Sequence, residues 1–227
     1  MISLLLPTRG RPDNLGRMYE SALSTSEGKI ECIVAIDDDD ESYEEFFEHP
    51  MHNMTIFRTE RKTLSKYWNE CYRKANGDIL MHCGDDIIFR TMDWDVKVKE
   101  AFARYPDNIV FVFGNDGSGV HDGKFGTHGF IHRDWAETIG YFVPPYFSSD
   151  YNDTWLNDVA KIIGRHKHVD MLTEHMHPDL GKGLLDQTHK DRLARHARDK
   201  VRDIYDSKGK ERHQDAVKLL EVINNGS

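Results

Sequence analysis

The chain alternates between short apolar runs and longer segments whose apolar residues recur every three or four positions. The short runs predict buried strands at residues 2–6, 29–36, 54–57, 79–83 and 109–113. The longer segments predict helices at residues 14–24, 64–75, 94–105, 134–139 and 153–164, with Asp13 or Asn14 capping the first. Strands that alternate with helices are typical of an α/β fold with a doubly wound sheet, and residues 1–36 form one right-handed βαβ unit.

Two later regions depart from this alternation. Residues 114–129 are rich in Gly, Asp and His, which predicts a long loop, and such loops in compact domains are usually functional or disordered. After residue 170 the chain carries a His-Met-His-Pro motif at 175–178 and a Gly-Lys-Gly motif at 181–183, followed by a long polar helical segment. We therefore divide the chain into a domain at residues 1–185 and a polar helical extension at residues 186–227.

The composition indicates a folded protein with reduced thiols. The chain has 227 residues and a formal charge of −9, and no apolar run approaches the roughly 20 residues of a membrane span. It begins in a predicted strand without a signal-peptide pattern, so we expect a cytoplasmic protein of a bacterium or of an infected host cell. Its three cysteines are scattered and are expected to be core thiols. The negative charge argues against nonspecific binding of polyanions, although residues 190–212 are predominantly basic.

Adjacent carboxylates follow two of the predicted strands at the points where the strands end. Asp85 and Asp86 follow the strand at 79–83, and four aspartates at 37–40 follow the strand at 29–36. Ligands bind at the carboxyl edge of an open α/β sheet, and so much negative charge needs a cation or hydrogen-bond donors to offset it. Phosphate-bearing ligands usually bring Mg²⁺ or Mn²⁺, so a cation site is one interpretation. The alternative is a pair of solvated acidic turns.

Four features, taken in chain order, resemble the family 2 glycosyltransferases of the GT-A fold. They are Pro7-Thr8-Arg9 with Arg11 at the end of the first strand, Asp37-Asp38 at the end of the second, Asn69 on the helix before Gly77-Asp78-Ile79, and Asp85-Asp86 after the next strand. Gly84 stands where many members carry the first Asp of an Asp-x-Asp triplet, while other members keep only the adjacent pair. The resemblance extends over residues 1–183 and implies a mixed sheet flanked by helices that transfers a sugar from a nucleotide donor.

The resemblance implies a donor site at the ends of the first strands. Asp37 or Asp38 would accept the imide N–H of uracil, a contact that cytosine and adenine cannot copy, so the expected donor is a UDP-sugar. Thr8 would line the base pocket. Nearby basic side chains would contact the nucleotide, unless they are solvated surface charges. The residues assigned to the nucleotide are Pro7, Thr8, Arg9, Arg11, Asp37, Asp38, Lys62, Asp85 and Lys182.

The resemblance also implies Mg²⁺ or Mn²⁺, which neutralises the departing diphosphate. Asp86 is the expected ligand, with Asp85 facing the ribose or supporting the ligand. The family often adds a late His ligand. We favour His175 over His177; in an extended segment, residues two apart lie on the same side. The alternative for either histidine is a structural hydrogen bond.

The acceptor hydroxyl needs a general base, and the resemblance implies a carboxylate beyond the 114–129 loop. Asp153 is the expected base with Asp150 in reserve, and attack in line with the leaving group would invert the anomeric configuration. The alternative is that Asp153 only caps the helix that starts there. Residues 115–133 are expected to cover the donor. The aromatic residues that follow would contact the sugar unless they belong to the core.

Two other functions stay open at the level of sequence. A nucleotide-sugar nucleotidyltransferase shares the fold class but needs a glycine-rich loop after the first strand, where only Gly10 is present. A non-catalytic nucleotide-binding or metal-binding module is the second alternative. For a transferase, the expected acceptor is a glycan, a protein or a hydroxylated base in phage DNA. The basic residues at 190–212 would then follow a phosphate backbone, unless they are solvated and paired along a helix.

Overall fold

A mixed sheet flanked by helices forms the scaffold of the computed structural model, which describes residues 1–225. The strands are β1 (Ile2–Thr8), β2 (Ile30–Asp37), β3 (Met54–Thr59), β4 (Ile79–His82), β5 (Ile87–Phe89), β6 (Phe111–Asn115), β7 (Gly129–His132) and β8 (His166–His175). The helices are α1 (Pro12–Thr25), α2 (Glu44–Glu48), α3 (Leu64–Lys74), α4 (Trp94–Phe102), α5 (Arg133–Ile139), α6 (Asn152–Ile162), α7 (Gln187–Arg198), α8 (Val201–Ser207) and α9 (Gly209–Asn225).

The strand order places a topological switch point beside β1. The order is β3-β2-β1-β4-β7-β6-β8-β5, and β1 pairs in parallel with both β2 and β4. The chain therefore winds outward from β1 in one direction through β2 and β3 and then returns to the other side with β4. The carboxyl ends of β1 and β4 border the crevice that ligands occupy in doubly wound sheets. This confirms the predicted α/β class and the mixed, doubly wound sheet.

The central strands are buried on both faces, as their uninterrupted apolar runs predict. Leu4 and Leu6 of β1 pack into one apolar layer with Trp94, while Leu5 packs into the opposite layer with Trp135. Side chains alternate across a strand, so one run of five residues contributes to both layers. The three cysteines are buried and unpaired, which confirms their prediction as core thiols.

All five predicted strands and all five predicted helices are present, with boundaries that differ by a few residues. The predicted cap of the first helix is wrong. Helix α1 begins at Pro12, and Arg11 occupies the N-cap position instead of Asp13 or Asn14. Proline suits the first helical position because the N–H that it lacks would have no partner within the helix.

Strands β5, β7 and β8 were not predicted, and β7 corrects the expected role of residues 129–133. These residues were expected to cover the donor, but β7 lies inside the sheet between β4 and β6 with Phe130 and Ile131 buried. Gly129 is required there, because a Cβ would lie 2.2 Å from the ring of Phe111. The aromatic residues Trp135, Phe147 and Trp155 are fully buried, which supports the core alternative for them.

The C-terminal helices share the apolar core of the preceding domain. Val201, Ala216 and Leu219 are fully buried in the same layer as residues of α5 and α6. The buried carboxylate of Asp215 on α9 accepts a hydrogen bond from Trp155 Nε1 on α6 at 3.0 Å. The boundary at residue 185 thus marks a change of sequence pattern and not the edge of a separate core. No helix within residues 1–225 combines the length and the apolar character needed to cross a membrane.

We predict that Leu219→Ala lowers the free energy of unfolding by about 2–5 kcal/mol, because it leaves a cavity where α9 meets the core. Chemical denaturation of the full chain measures this. Val217→Ala on the same helix is the control: Val217 is 41% exposed, so its truncation is expected to change stability by less than about 0.5 kcal/mol. Equal small effects of the two substitutions would mean that the C-terminal helices are not integral to the fold.

Candidate active site

A cleft of about 450 Å³ opens at the carboxyl edge of β1, β2 and β4. The start of α6 and one face of α7 complete its wall. Eleven of the site residues predicted from sequence line it: Pro7, Thr8, Arg9, Arg11, Asp37, Asp85, Asp86, Asp150, Asp153, His175 and His177. The two acidic clusters thus contribute to one cleft through Asp37, Asp85 and Asp86.

Asp86, His128 and His175 form a group that could hold a metal ion, with their ligand atoms all within 4.8 Å of one another. Two antiparallel pairings bring them together. Gly129 of β7 lies opposite His82 of β4, which puts His128 just beyond the end of β4. His175 at the end of β8 lies opposite Ile87 of β5, the residue after Asp86. The turn between β4 and β5 therefore has one histidine on each side.

Gly84 leaves the space that this group needs. A Cβ at residue 84 would lie 2.8 Å from Asp86 Oδ1 and 3.2 Å from His128 Nε2. An Asp here, as in the Asp-x-Asp triplet, would crowd the carboxylate and the imidazole. Glycine at residue 84 therefore leaves room for the side chains of Asp86 and His128.

The protonation states of the group suit a cation. Burial alone would raise the pKa of Asp86, but His175, His128 and Arg11 outweigh it and hold that pKa well below its ordinary value. Burial lowers the pKa of the His128 imidazole to about 3, so it is neutral, and its Nδ1 has no hydrogen-bond partner among the described residues. An ionised carboxylate and a neutral imidazole are the forms that ligate metals. The fit of these residues to a divalent cation therefore rests on their chemistry as well as on their spacing.

His177 lies next to this group without belonging to it. Its ring centroid is 5.1 Å from that of His175, and its Nδ1 accepts a hydrogen bond from the N–H of Asp179 at 3.2 Å. Among the described residues, His128 takes the second histidine position that the His-x-His motif suggested for residue 177. The only sequence signal for His128 was the enrichment of His in the 114–129 loop.

Asp85 is held by donors from β1 and from the loop after it. Its carboxylate accepts hydrogen bonds from Thr8 Oγ1 at 2.5 Å and from Arg11 Nη1 at 3.0 Å. Burial and the neighbouring charge of Asp86 nevertheless raise its pKa. The two adjacent carboxylates are therefore inequivalent: Asp86 faces the histidines, whereas Asp85 faces the residues of β1.

Asp37 is the acidic residue of the second cluster that reaches the cleft. It is 5% exposed, and its carboxylate is bound by Arg9 Nη1 at 2.6 Å and by the hydroxyl of Tyr67. Arg61 approaches the same carboxylate at 3.9 Å. Neither Arg61 nor Tyr67 was predicted from sequence, although Arg61 is the neighbour of the predicted Lys62.

Three predicted nucleotide residues do not line the cleft. Asp38 is exposed at the turn after β2. Lys62 points away and pairs with Glu70. Lys182 pairs with Glu174 at 2.9 Å and donates to the carbonyl of Gly117, so its charge is used within the fold. Lys62 and Lys182, which were expected to contact the nucleotide, are thus paired with other residues and lie outside the cleft lining.

Asp150 and Asp153 differ in their surroundings. Burial would raise the pKa of Asp150, but Arg192 and His196 of α7 bind its carboxylate at 2.6 Å each and lower that pKa. Asp153 has no cationic partner among residues 1–225; its Oδ1 accepts the N–H of Thr154 at 2.7 Å, and burial raises its pKa to about 6. It lies inside the first turn of α6, whose N-cap is residue 151, so the N-cap alternative does not describe it.

Helix α7 covers the cleft, which sequence analysis missed. Asp186, just before α7, binds Arg11 at 2.6 Å, and Thr188 donates to the carbonyl of Arg9 at 3.0 Å. His189 lies 4.0 Å from the carboxylate of Asp86. The basic part of this segment was expected either to follow a phosphate backbone or to be a solvated helix, but several polar side chains of α7 contact the site residues.

Comparisons with known proteins agree with this geometry. The model of the family "Glycosyl transferase family 2" matches residues 3–167. Among solved structures, the mannosyltransferase PcManGT from Pyrobaculum calidifontis in complex with GDP-Man and Mn²⁺ is similar with a TM-score of 0.61 and 12% identity, covering 97% of this chain and 73% of that one. S. aureus TarS 1–349 in complex with UDP-GlcNAc has a TM-score of 0.57 and 15% identity, covering 86% and 72%. A comparison with curated proteins found no match.

We predict that His128→Ala weakens Mn²⁺ binding at least tenfold, about 1.4 kcal/mol, because it removes one of the three grouped ligand atoms. His177→Ala is the matched control and is expected to change the affinity less than threefold. Calorimetric titration with Mn²⁺ compares the two variants. A larger loss for His177→Ala would reassign the second histidine.

Proposed function

The chain belongs to glycosyl transferase family 2, and on that premise we propose that it is a metal-dependent, inverting enzyme that moves a sugar from a UDP-sugar to an acceptor hydroxyl. One observation carries the proposal: a metal-binding group, a buried carboxylate that suits a nucleobase, and a second carboxylate with a raised pKa line the same cleft. These meet the three needs of the reaction, which are a neutralised leaving group, a recognised nucleotide and a deprotonated acceptor.

Asp86, His128 and His175 would hold the metal ion. A bound Mn²⁺ or Mg²⁺ supplies positive charge beside the departing diphosphate. Two imidazoles among three ligands favour Mn²⁺, because Mg²⁺ prefers oxygen ligands. Arg11 would contact the donor from the cleft wall beside Asp85, with its charge shared between Asp85 and Asp186.

Asp37 would read the nucleobase. Uracil presents an N–H flanked by two carbonyl oxygens, and two cationic donors, Arg9 and Arg61, lie beside Oδ2 of the Asp37 carboxylate. A carboxylate acceptor with donors beside it suits uracil, whereas cytosine and adenine offer no ring N–H to the carboxylate. Guanine has a ring N–H but places a donor amine where uracil has its second carbonyl. The pattern therefore favours uridine.

Asp153 would act as the general base. The acceptor O–H passes its proton to the Asp153 carboxylate while the acceptor oxygen forms a bond to the anomeric carbon. The bond from that carbon to the diphosphate oxygen breaks, and its electron pair leaves with the diphosphate. Attack opposite the leaving group inverts the configuration. The raised pKa of Asp153 favours it over Asp150, whose pKa Arg192 and His196 lower.

The loop after β1 argues against the nucleotidyltransferase alternative. Such an enzyme needs free backbone N–H groups to cradle a triphosphate. In this loop the N–H of Gly10 is bound to Asp40 at 2.7 Å, and the N–H of Arg11 is bound to the Tyr43 hydroxyl at 3.0 Å. These donors are already used by the fold, so the site suits a diphosphate held by a cation better than a triphosphate held by the backbone.

We predict that UDP with Mn²⁺ binds at least tenfold more tightly than CDP or ADP, about 1.4 kcal/mol, and more tightly than GDP. Asp37→Asn should remove most of this preference, because an amide can present a donor to the uracil N–H. The control is Asp38→Asn, since Asp38 is exposed and lies outside the cleft. Calorimetry with each nucleotide tests this, and equal affinities for UDP and CDP would contradict the assigned uracil contact.

We predict that Asp153→Asn slows transfer by about 10²- to 10⁴-fold while UDP affinity stays nearly unchanged. Wild-type turnover should fall as the pH drops below about 6, because Asp153 takes up a proton there. Asp150→Asn is the comparison for the reserve base. Near-normal turnover by Asp153→Asn would move the base assignment to another carboxylate.

The same variant has an expected stability signature. An unfolded Asp ionises near pH 4, whereas Asp153 in the fold ionises near pH 6, so this carboxyl destabilises the fold as the pH rises through that interval. Asp153→Asn should therefore be at least as stable as the wild type at pH 8. Thermal unfolding at pH 4 and pH 8 measures this, and a loss of stability at pH 8 would point to a structural role.

A further inference from the structure

Arg195 on α7 carries a guanidinium with no hydrogen bond or ion pair among residues 1–225. Its Nε is fully buried, and the side chain as a whole is partly buried. Burial lowers its pKa, and the like charge of Arg61 lowers it further. Arg192, one turn earlier on α7, has instead a carboxylate partner in Asp150 at 2.6 Å.

An unpaired, partly buried cation is costly, because the lost hydration is not replaced by a partner. The nearby carboxylates do not compensate: Asp37 is bound by Arg9 and Tyr67, and Asp191 accepts a hydrogen bond from Gln187. Among the described residues, Arg195 is thus a partly buried cation without an anionic partner.

A second cavity of about 970 Å³ continues outward from this position, between the start of α3 and one face of α7. We call it the outer groove. It shares Arg61, Asp191 and Arg195 with the cleft. The remaining lining residues are Glu60, Lys62, Thr63, Lys66, Ser148, Ala194, Arg198 and Asp199.

The outer groove has two unpaired cations among the described residues. Lys62 is paired with Glu70 and lies 3.8 Å from Glu60, and Arg198 is paired with Asp199 at 2.6 Å, so these two cations are neutralised. Lys66 is exposed and, like Arg195, makes no ion pair within the described part of the chain. Both can therefore bind an anion that enters the groove.

Two buried hydroxyls also lack partners here. Thr63 Oγ1 lies in the wall of the outer groove, and Ser149 Oγ lies in the adjoining wall of the cleft; neither has a hydrogen-bond partner among the described residues. The guanidinium of Arg195 and the ammonium of Lys66 together match the several oxygens of a phosphate.

The outer groove leads to the base. Ser148 lines the groove, and Ser149, Asp150 and Asp153 line the cleft beside it. A chain lying in the groove would therefore reach Asp153 along residues 148–150. The donor diphosphate belongs with Asp86, whereas the charges that act on Arg195 include those of Arg61, Asp191 and Asp37.

We propose that the outer groove is an acceptor subsite that binds a phosphodiester carried by the acceptor, with Arg195 and Lys66 as its cationic contacts. Calling the ligand an acceptor rests on the proposed transferase function; the binding of a phosphodiester does not. The formal charge of −9 disfavours nonspecific binding of a polyanion.

The test measures anisotropy of a fluorescein-labelled, 12-nucleotide single-stranded DNA with the full chain, without donor and with EDTA. Arg195→Gln is expected to weaken binding about tenfold and Lys66→Gln severalfold. Each should lower the slope of log Kd against log salt concentration by about 0.7. The matched control is Arg202→Gln: Arg202 lies on the neighbouring helix, is 76% exposed and is outside both cavities, so it should change little.

Inorganic polyphosphate separates phosphate contacts from base contacts. Full displacement of the DNA by polyphosphate supports a phosphodiester site, whereas failure to displace it overturns that assignment in favour of the bases. No binding of either probe at 0.1 M salt also overturns the proposal, as does an equal loss in Arg202→Gln.

The melting temperature of Arg195→Gln shows whether the variant folds, and its affinity for UDP shows whether Arg195 belongs to the donor site. Arg195→Gln should keep or raise the melting temperature, because it removes an unpaired charge. Its affinity for UDP with Mn²⁺ should stay within about threefold of the wild type. A tenfold loss of UDP affinity would assign Arg195 to the donor and overturn the proposal. Because DNA binding is measured without donor or metal, its failure is distinguishable from a failure of the transferase assignment.

Discussion

The guanidinium of Arg11 lies between the carboxylates of Asp85 and Asp186, and so links the sheet edge to the segment just before α7. It binds Asp85 at 3.0 Å and Asp186 at 2.6 Å, it contacts His189, and its side chain is only 9% exposed. Without this cation, Asp85 would lie buried beside Asp86 with little to offset the repulsion. The same cation fixes the start of α7, so the arrangement of carboxylates at the sheet edge and the closure of the cleft depend on a single side chain.

Carboxylates that are close in sequence have different surroundings in the cleft, and their pKa values shift in opposite directions. Asp86 faces two histidines and has a lowered pKa, while Asp85 faces β1 and has a raised one. Asp150 is neutralised by α7, while Asp153 is left without a cationic partner among the described residues and has a raised pKa. Environments that push the pKa values of adjacent acids apart give each acid a different chemical use.

Helix α7 connects the stability of the C-terminal region with the chemistry of the cleft. Its polar residues engage Arg11 and Asp150, and the helices after it bury Val201 and Leu219 in the core of the domain. The apolar contacts hold α7 over the sheet edge, and the ion pairs set which of its charges face the cleft. Arg195 faces the cleft without a partner among residues 1–225, because Asp37 and Asp191 are already bound by other residues.

The sequence by itself determined the strands whose apolar runs are continuous, the helices between them, and therefore the sheet edge where Asp37, Asp85 and Asp86 lie. These follow from local periodicity and from the rule that strand ends carry the ligand site. Only the tertiary structure decided that His128 joins Asp86, because this depends on the register between β7 and β4, whose residues are 47 apart at the Gly129–His82 pair. It also decided that Arg61 reaches the cleft while Lys62 turns away, and that a polar helix covers the site. Such choices depend on long-range pairing and on charge partners brought from distant parts of the chain, which no local pattern records.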